Sequence, residues 1–217
     1  MARYAPRTRG LSVLLTLTAG FGVVLTLASC RALNPTNWGS LGGSGGSGSV
    51  VSDSRGVELA LDLPTRAAIV ADANTADVYM TDLSPATLDL IARGEAGPEV
   101  SGTLVHVHIF LNPKPGKTPI ESTAASATVR TIILARGQIG VYDGAGFVLP
   151  GRSLKKGAAS GSIRDAQCRL SRATPGFEDL LGAARIDLSF GAKGDEAGAN
   201  RIARVVRALS AGADPVD

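Results

Sequence analysis

The stretch His106 to Pro119, HVHIFLNPKPGKTP, holds the side chains best suited to chemistry, and His106 and His108 are the only two histidines in the chain. Residues two apart on a strand project to one side. The two imidazoles therefore stand together with Leu104 and Phe110, while Val105, Val107, Ile109 and Leu111 occupy the other face. Imidazoles at this spacing can share a zinc or copper ion. Such sites usually take three or four protein ligands, so carboxylates from elsewhere in the chain would have to complete the set. The competing reading of the pair is structural: two partly buried histidines bonded to polar neighbours. In the same stretch Gly116, Lys117 and Thr118 spell the end of a phosphate-cradling loop. That motif needs a glycine five positions earlier, where Leu111 stands, and Pro113 and Pro115 remove backbone N–H donors on which the cradle depends. A proline-stiffened loop leaving a strand is the expectation.

His-x-His on a strand locally resembles the metal strand of cupins and of copper-zinc superoxide dismutases. A cupin would add a glutamate a few positions on, where this chain has Phe110, Leu111 and Asn112, and a superoxide dismutase needs more histidines than the chain holds. Ser153 to Lys156, SLKK, is similar to the Ser-x-x-Lys element of penicillin-recognising enzymes, but the companion S-D-N and K-T-G motifs are missing and Gly151 and Gly157 flank a turn. Cys168 sits in SIRDAQCRL, where Ala166, Cys168 and Leu170 share one strand face. A small buried side chain is expected there, because no local base would generate a thiolate. Asp165 and Asp187 fall on polar strand faces. No catalytic residue is assigned.

The amino terminus has its own chemistry. Arg3, Arg7 and Arg9 precede an apolar run from Leu11 to Leu27 that is broken by Ser12, Thr16, Thr18, Gly20, Gly22 and Thr26. The run is shorter than the roughly 20 strongly apolar residues of a spanning helix, and the pattern is that of an export signal. Leu27, Ala28, Ser29 and Cys30 resemble the lipobox of bacterial lipoproteins. The resemblance implies a signal peptide over 1–29, diacylglyceryl and palmitate-type acylation at Cys30, and a mature chain beginning there. Each buried methylene contributes about 0.8 kcal/mol, so two or three acyl chains give a lasting anchor. Arg31 follows, where an Asp would favour inner-membrane retention in Gram-negative lipoproteins. In a Gram-negative host, the lack of that Asp points to the outer membrane of the cell envelope.

Removal of the signal changes the charge balance. Three of the 22 Lys+Arg precede Cys30 and none of the 19 Asp+Glu does, which leaves 19 basic against 19 acidic side chains. The basic character belongs to the export signal, and nucleic-acid binding loses its compositional support. With Cys30 lipidated, Cys168 is left alone and no internal disulfide can form.

These candidates must be positioned by a domain expected over 56–211, after a Gly/Ser-rich tether over 30–55 and before a disordered tail at 212–217. Trp38 lies in the tether and is a candidate for the lipid interface. Alternating runs predict strands in VELALDL, TLVHVHIFL, TVRTIILA, SGSIRDAQCRL and RIDLSF, with two short strands around Asn74 and a hairpin turning at Asp143-Gly144. Ser84-Pro85 and Gly94 punctuate one helix, and Thr174-Pro175 and Gly182 a second. A third, about Asp195 to Ser210, sets Ile202, Val205, Val206 and Leu209 on one stripe and Arg201, Arg204 and Arg207 on the other side.

The expected fold is α+β: a mainly antiparallel, sandwich-like sheet with two short helices and a C-terminal amphipathic helix packed on it. The expected role is a non-catalytic binding or structural domain held to a membrane, with an envelope protein or an apolar ligand as partner. The alternatives are a metal-binding protein or metal-dependent enzyme using His106 and His108, and a carrier of lipid or small apolar ligands in a sheet-and-helix cavity.

Overall fold

The computed structural model describes residues 46–113, 124–151, 154 and 157–216. The elements run β1 (Ser47–Ser52), β2 (Glu58–Asp62), β3 (Thr65–Val70), β4 (Ala76–Thr81), α1 (Pro85–Ala92), β5 (Gly102–Ile109), β6 (Ala127–Ala135), β7 (Gln138–Pro150), β8 (Ala158–Ala173), β9 (Ala184–Lys193), α2 (Glu196–Ala211) and β10 (Asp214–Pro215). One sheet holds all the strands, in the order β2-β1-β9-β8-β7-β6-β5-β4-β3, with β10 paired to the end of β8. Each pairing between these strands is antiparallel. The sheet curls, so that Ala68 of edge strand β3 bridges Gly194 just beyond β9 and its carbonyl accepts the Asp195 N–H. The result is a β-rich α+β fold shaped as a curled half-barrel.

Both faces of the sheet are apolar over part of their area, and each has its own core. The concave face gathers inward residues such as Val78, Met80, Val105, Val107, Ile109, Ile163, Ile186, Leu188 and Phe190. On the convex face α1 and α2 cover Tyr79, Leu104, Ile132, Leu134 and Val141 with Leu88, Ile91, Ile202, Val205, Val206 and Leu209. Alternation along each strand supplies both sets at once. Both helices begin as their sequences predict: the Ser84 side chain accepts the Thr87 N–H, and the Asp195 side chain accepts the Gly198 N–H. Gly94, at φ +70°, ends α1.

Four local expectations fail, each for a physical reason. The segment Asp143-Gly144 is no turn but the middle of β7. A Cβ at position 144 would run into the Gln167 carbonyl and the Cys168 side chain, so glycine is there to let two strands approach. The reversal comes earlier, at Arg136-Gly137, where both residues have positive φ (53° and 76°) and the pair Ala135↔Gln138 closes a two-residue loop. The segment 174–182 is irregular rather than helical. Gly176 takes φ +85°, and the Asp179 carboxylate captures the N–H groups of Leu181 and Gly182 that a helix would use internally. Residues 47–52, read as the end of the tether, form β1 between β2 and β9. Gly48 is needed because a side chain would meet the Asp187 carbonyl, and Val50 is buried. In the segment read as a disordered tail, Asp214 and Pro215 pair with Ala173 and Arg172 of β8.

One bulge keeps β8 in phase. Arg164 and Asp165 together oppose Asp187, Asp165 adopts φ +50°, and its N–H is accepted by the Asp187 side chain at 2.9 Å. The extra residue lets Ile163, Ala166 and Cys168 all face inward.

Leu188, with no exposure at the centre of the concave core, is the test of this packing. Replacing it with alanine should lower unfolding stability by about 2–5 kcal/mol in urea titrations. The exposed Phe110→Ala should stay within about 0.5 kcal/mol of wild type.

Candidate functional site

Strand β5 runs out from under the helices, and burial falls along its convex face. Leu104 is fully buried, while the side chains of His106 and His108 are 22% and 39% exposed. The two histidines do stand on one face, as the alternation requires. Their partner is Asp77 on the neighbouring strand β4, directly opposite His108 in the register. The His106 Nε2–H donates to Asp77 Oδ1 at 2.8 Å, and the His108 Nδ1–H donates to the same oxygen at 2.9 Å. These bonds, the one from His106 foremost, hold the Asp77 carboxyl below the usual carboxylate range despite its partial burial. Tyr79 stacks on the His106 ring at 4.3 Å between centroids, with 4° between planes. The ring thus has one nitrogen and one face fixed.

Asp77 is placed by its own hairpin. The Asp72 carboxylate accepts the N–H groups of Asn74 and Thr75, closing the β3–β4 turn, and the Asn112 side chain donates to the Ala73 carbonyl. The turn is thereby tied to the exit of β5.

The polar strip continues across the sheet. Arg130 lies opposite His106 on β6 and forms a two-pronged pair with Asp143 on β7, at 2.7 and 3.1 Å. Asp143 also accepts the Ser171 hydroxyl at 2.7 Å. Burial alone would raise the Asp143 carboxyl, but the bonds from Arg130 and Ser171 and the charges of Arg130 and Arg172 carry it below its ordinary value. Phe110, 45% exposed, flanks His108 with ring centroids 6.4 Å apart.

The remaining candidates lie elsewhere or outside the described residues. Cys168 faces the concave core, where burial, with the charge of Asp53 adding to it, pushes its thiol up to about 11. Such a thiol is protonated at neutral pH and is no nucleophile. Lys114 to Thr118 and the Ser153, Lys155 and Lys156 of SLKK fall outside the described residues, as do Cys30 and the preceding lipobox. The concave interior is filled by side chains including Tyr142, Phe190, Met80 and Ile163. Two shallow cavities beside the helices measure about 140 Å³ each, small against the 300 Å³ and more of ordinary ligand sites. Among the described residues, no three His, Cys, Asp or Glu side chains stand ready-made as a metal cage, and no helix is long and apolar enough to cross a membrane.

Asp77 was not legible as part of the site, being separated from His106 by a turn, a helix and a loop. The available signal was the alternation of ADVYM, which puts Asp77 and Tyr79 on one face of a strand bordering β5.

The depressed carboxyls give stability a definite pH dependence. Asp179 resembles Asp143: burial would raise it, but the Tyr142 hydroxyl, the Gly182 and Leu181 N–H groups and the charge of Arg55 lower it. A carboxyl held lower in the folded chain stabilises fully above its unfolded value near 4, and that contribution is lost as pH falls through the folded value. Thermal melts should therefore be flat from about pH 7 to 5 and decline steeply below about pH 4, with Asp179→Asn weakening the decline. Compared with models of protein families, with curated proteins and with solved structures, the chain has no match.

Proposed function

We propose that this chain is an exported lipoprotein, acylated at Cys30, whose half-barrel is a non-catalytic binding domain presented to a partner in the cell envelope. The lipobox of Leu27, Ala28, Ser29 and Cys30 supports the anchor, and Arg31 favours the outer membrane where the host has one. With β1 beginning at Ser47, about 16 residues separate the acylated cysteine from the sheet. A Gly/Ser-rich chain of that length reaches on the order of 20–25 Å, enough to hold the domain beside the bilayer.

One observation carries the binding reading. Beyond the helices, the convex face presents Asp77, His106, His108, Arg130 and Asp143 already held by one another, each about a quarter to two-fifths exposed, beside the exposed ring of Phe110. Preorganised polar groups next to an aromatic anchor suit recognition, because little side-chain freedom remains to be lost on binding. The filled concave interior supports a surface role over carriage of a lipid inside the barrel.

Two measurements test the two halves. Mass spectrometry of the protein from its native host should find a chain starting at acylated Cys30, and Cys30→Ser should move it from the membrane to the soluble fraction. A chain retaining residues 1–29, or an unmodified thiol at position 30, would refute the anchor. For the binding face, a photo-crosslinking residue at position 110 in native membranes should give a discrete adduct, while the same residue at position 204 on α2 should give none. Equal labelling from both positions, or none from 110, would remove this face from consideration.

A further inference from the structure

Asp77 is clamped between the two histidines through a single carboxylate oxygen. All the imidazole in the chain is gathered on one carboxylate oxygen. Three donor atoms, His106 Nε2, His108 Nδ1 and Asp77 Oδ1, come from two paired strands of a stiff sheet, and all three side chains remain accessible at 22%, 39% and 29%. Stacking against Tyr79 fixes the plane of the His106 ring. The nearest strand neighbour carrying positive charge, Arg130, has its charge matched by Asp143.

We propose that Asp77, His106 and His108 bind one divalent ion of the borderline transition-metal class, zinc or copper(II), at the open end of the convex face. This rests on the reading of that face as the binding surface and deepens it: the ion would leave coordination positions for water or for a donor from the partner. Two imidazoles and a carboxylate suit zinc and copper, whereas calcium and magnesium take oxygen ligands.

The geometry sets what must move. The nitrogens stand 2.8 and 2.9 Å from Asp77 Oδ1, which is hydrogen-bond spacing, closer than ligands around one ion stand. Ligands at 2.0–2.2 Å from a tetrahedral zinc are about 3.4 Å apart, so each contact must open by about half an ångström. Rotation of the exposed His108 and of the carboxylate supplies that. The proton on each nitrogen facing Asp77 passes through water to the other ring nitrogen, and the freed lone pair takes the ion. No electron is transferred.

The test is titration of the full-length protein, purified in detergent and stripped with chelator, with zinc chloride and separately with copper(II) sulfate. Binding is followed by calorimetry and by elemental analysis after gel filtration. The expected result is one ion per chain, copper tighter than zinc, affinity reduced in Asp77→Asn by at least the roughly 10-fold that losing even a hydrogen-bond partner of a ligand costs, and binding lost in the His106→Ala/His108→Ala double variant. Because Asp77→Asn also removes a fold contact, His108→Gln, at the most exposed of the three positions, serves as a second variant, with circular dichroism confirming that each is folded. Absence of stoichiometric binding, or binding unchanged in all these folded variants, overturns the proposal. Crosslinking from position 110 that persists in the same metal-free protein would show that the binding-face reading stands without the ion, and loss of both would sink the two together.

Discussion

Val105, Val107 and Ile109 must face the concave core, where none is more than 1% exposed, and side-chain alternation then sends Leu104, His106 and His108 to the opposite face. That single requirement fixes β5 against β4 and β6, because a slip of one residue would bury two imidazoles and expose three aliphatic side chains. The same in-and-out phase runs through β4, β6, β8 and β9. Where a strand would lose it, the bulge at Arg164 and Asp165 restores it. The helices answer the other half of the constraint. They cover the convex face only where that face is apolar, and end their cover where β5 changes from leucine to histidine.

Much of this architecture was legible in the sequence, and the failures have a common origin. The strands with clean alternation, the Ser84 and Asp195 caps and the apolar stripe of α2 all appear where local chemistry puts them. Glycine misled twice, at Gly48 and Gly144, because a glycine that allows close strand approach reads the same as one that permits a turn or loosens a tether. At 174–182 the helix punctuation is correct but is overridden by Asp179, whose carboxylate is recruited by Tyr142 and the following backbone. No local pattern reports a tertiary hydrogen bond. The site was half legible for the same reason: His106 and His108 declare themselves by spacing, whereas Asp77 joins them only through the register of two strands.

The proposed role follows from where the chemistry ends up. A half-barrel with a filled interior keeps the Cys168 thiol protonated and buried, and displays the clusters around Asp77 and Asp143 on its outer face. Those groups are spent on one another in pairs, His106 and His108 on Asp77 and Arg130 on Asp143. Such satisfied, oriented clusters cost little to carry at a surface and present a defined pattern of charge and ring faces to whatever approaches. A lipid at Cys30 would hold that pattern near a membrane, where a partner at low concentration meets it repeatedly.

The shared carboxylate is the centre of this account, and long-range nitrogen–proton NMR of the two imidazoles at neutral pH examines it directly. The structure predicts His106 protonated on Nε2 and His108 on Nδ1, each with a downfield, slowly exchanging N–H signal, and both signals lost together in Asp77→Asn. Two histidines with averaged, rapidly exchanging ring protons, unaffected by that substitution, would contradict it.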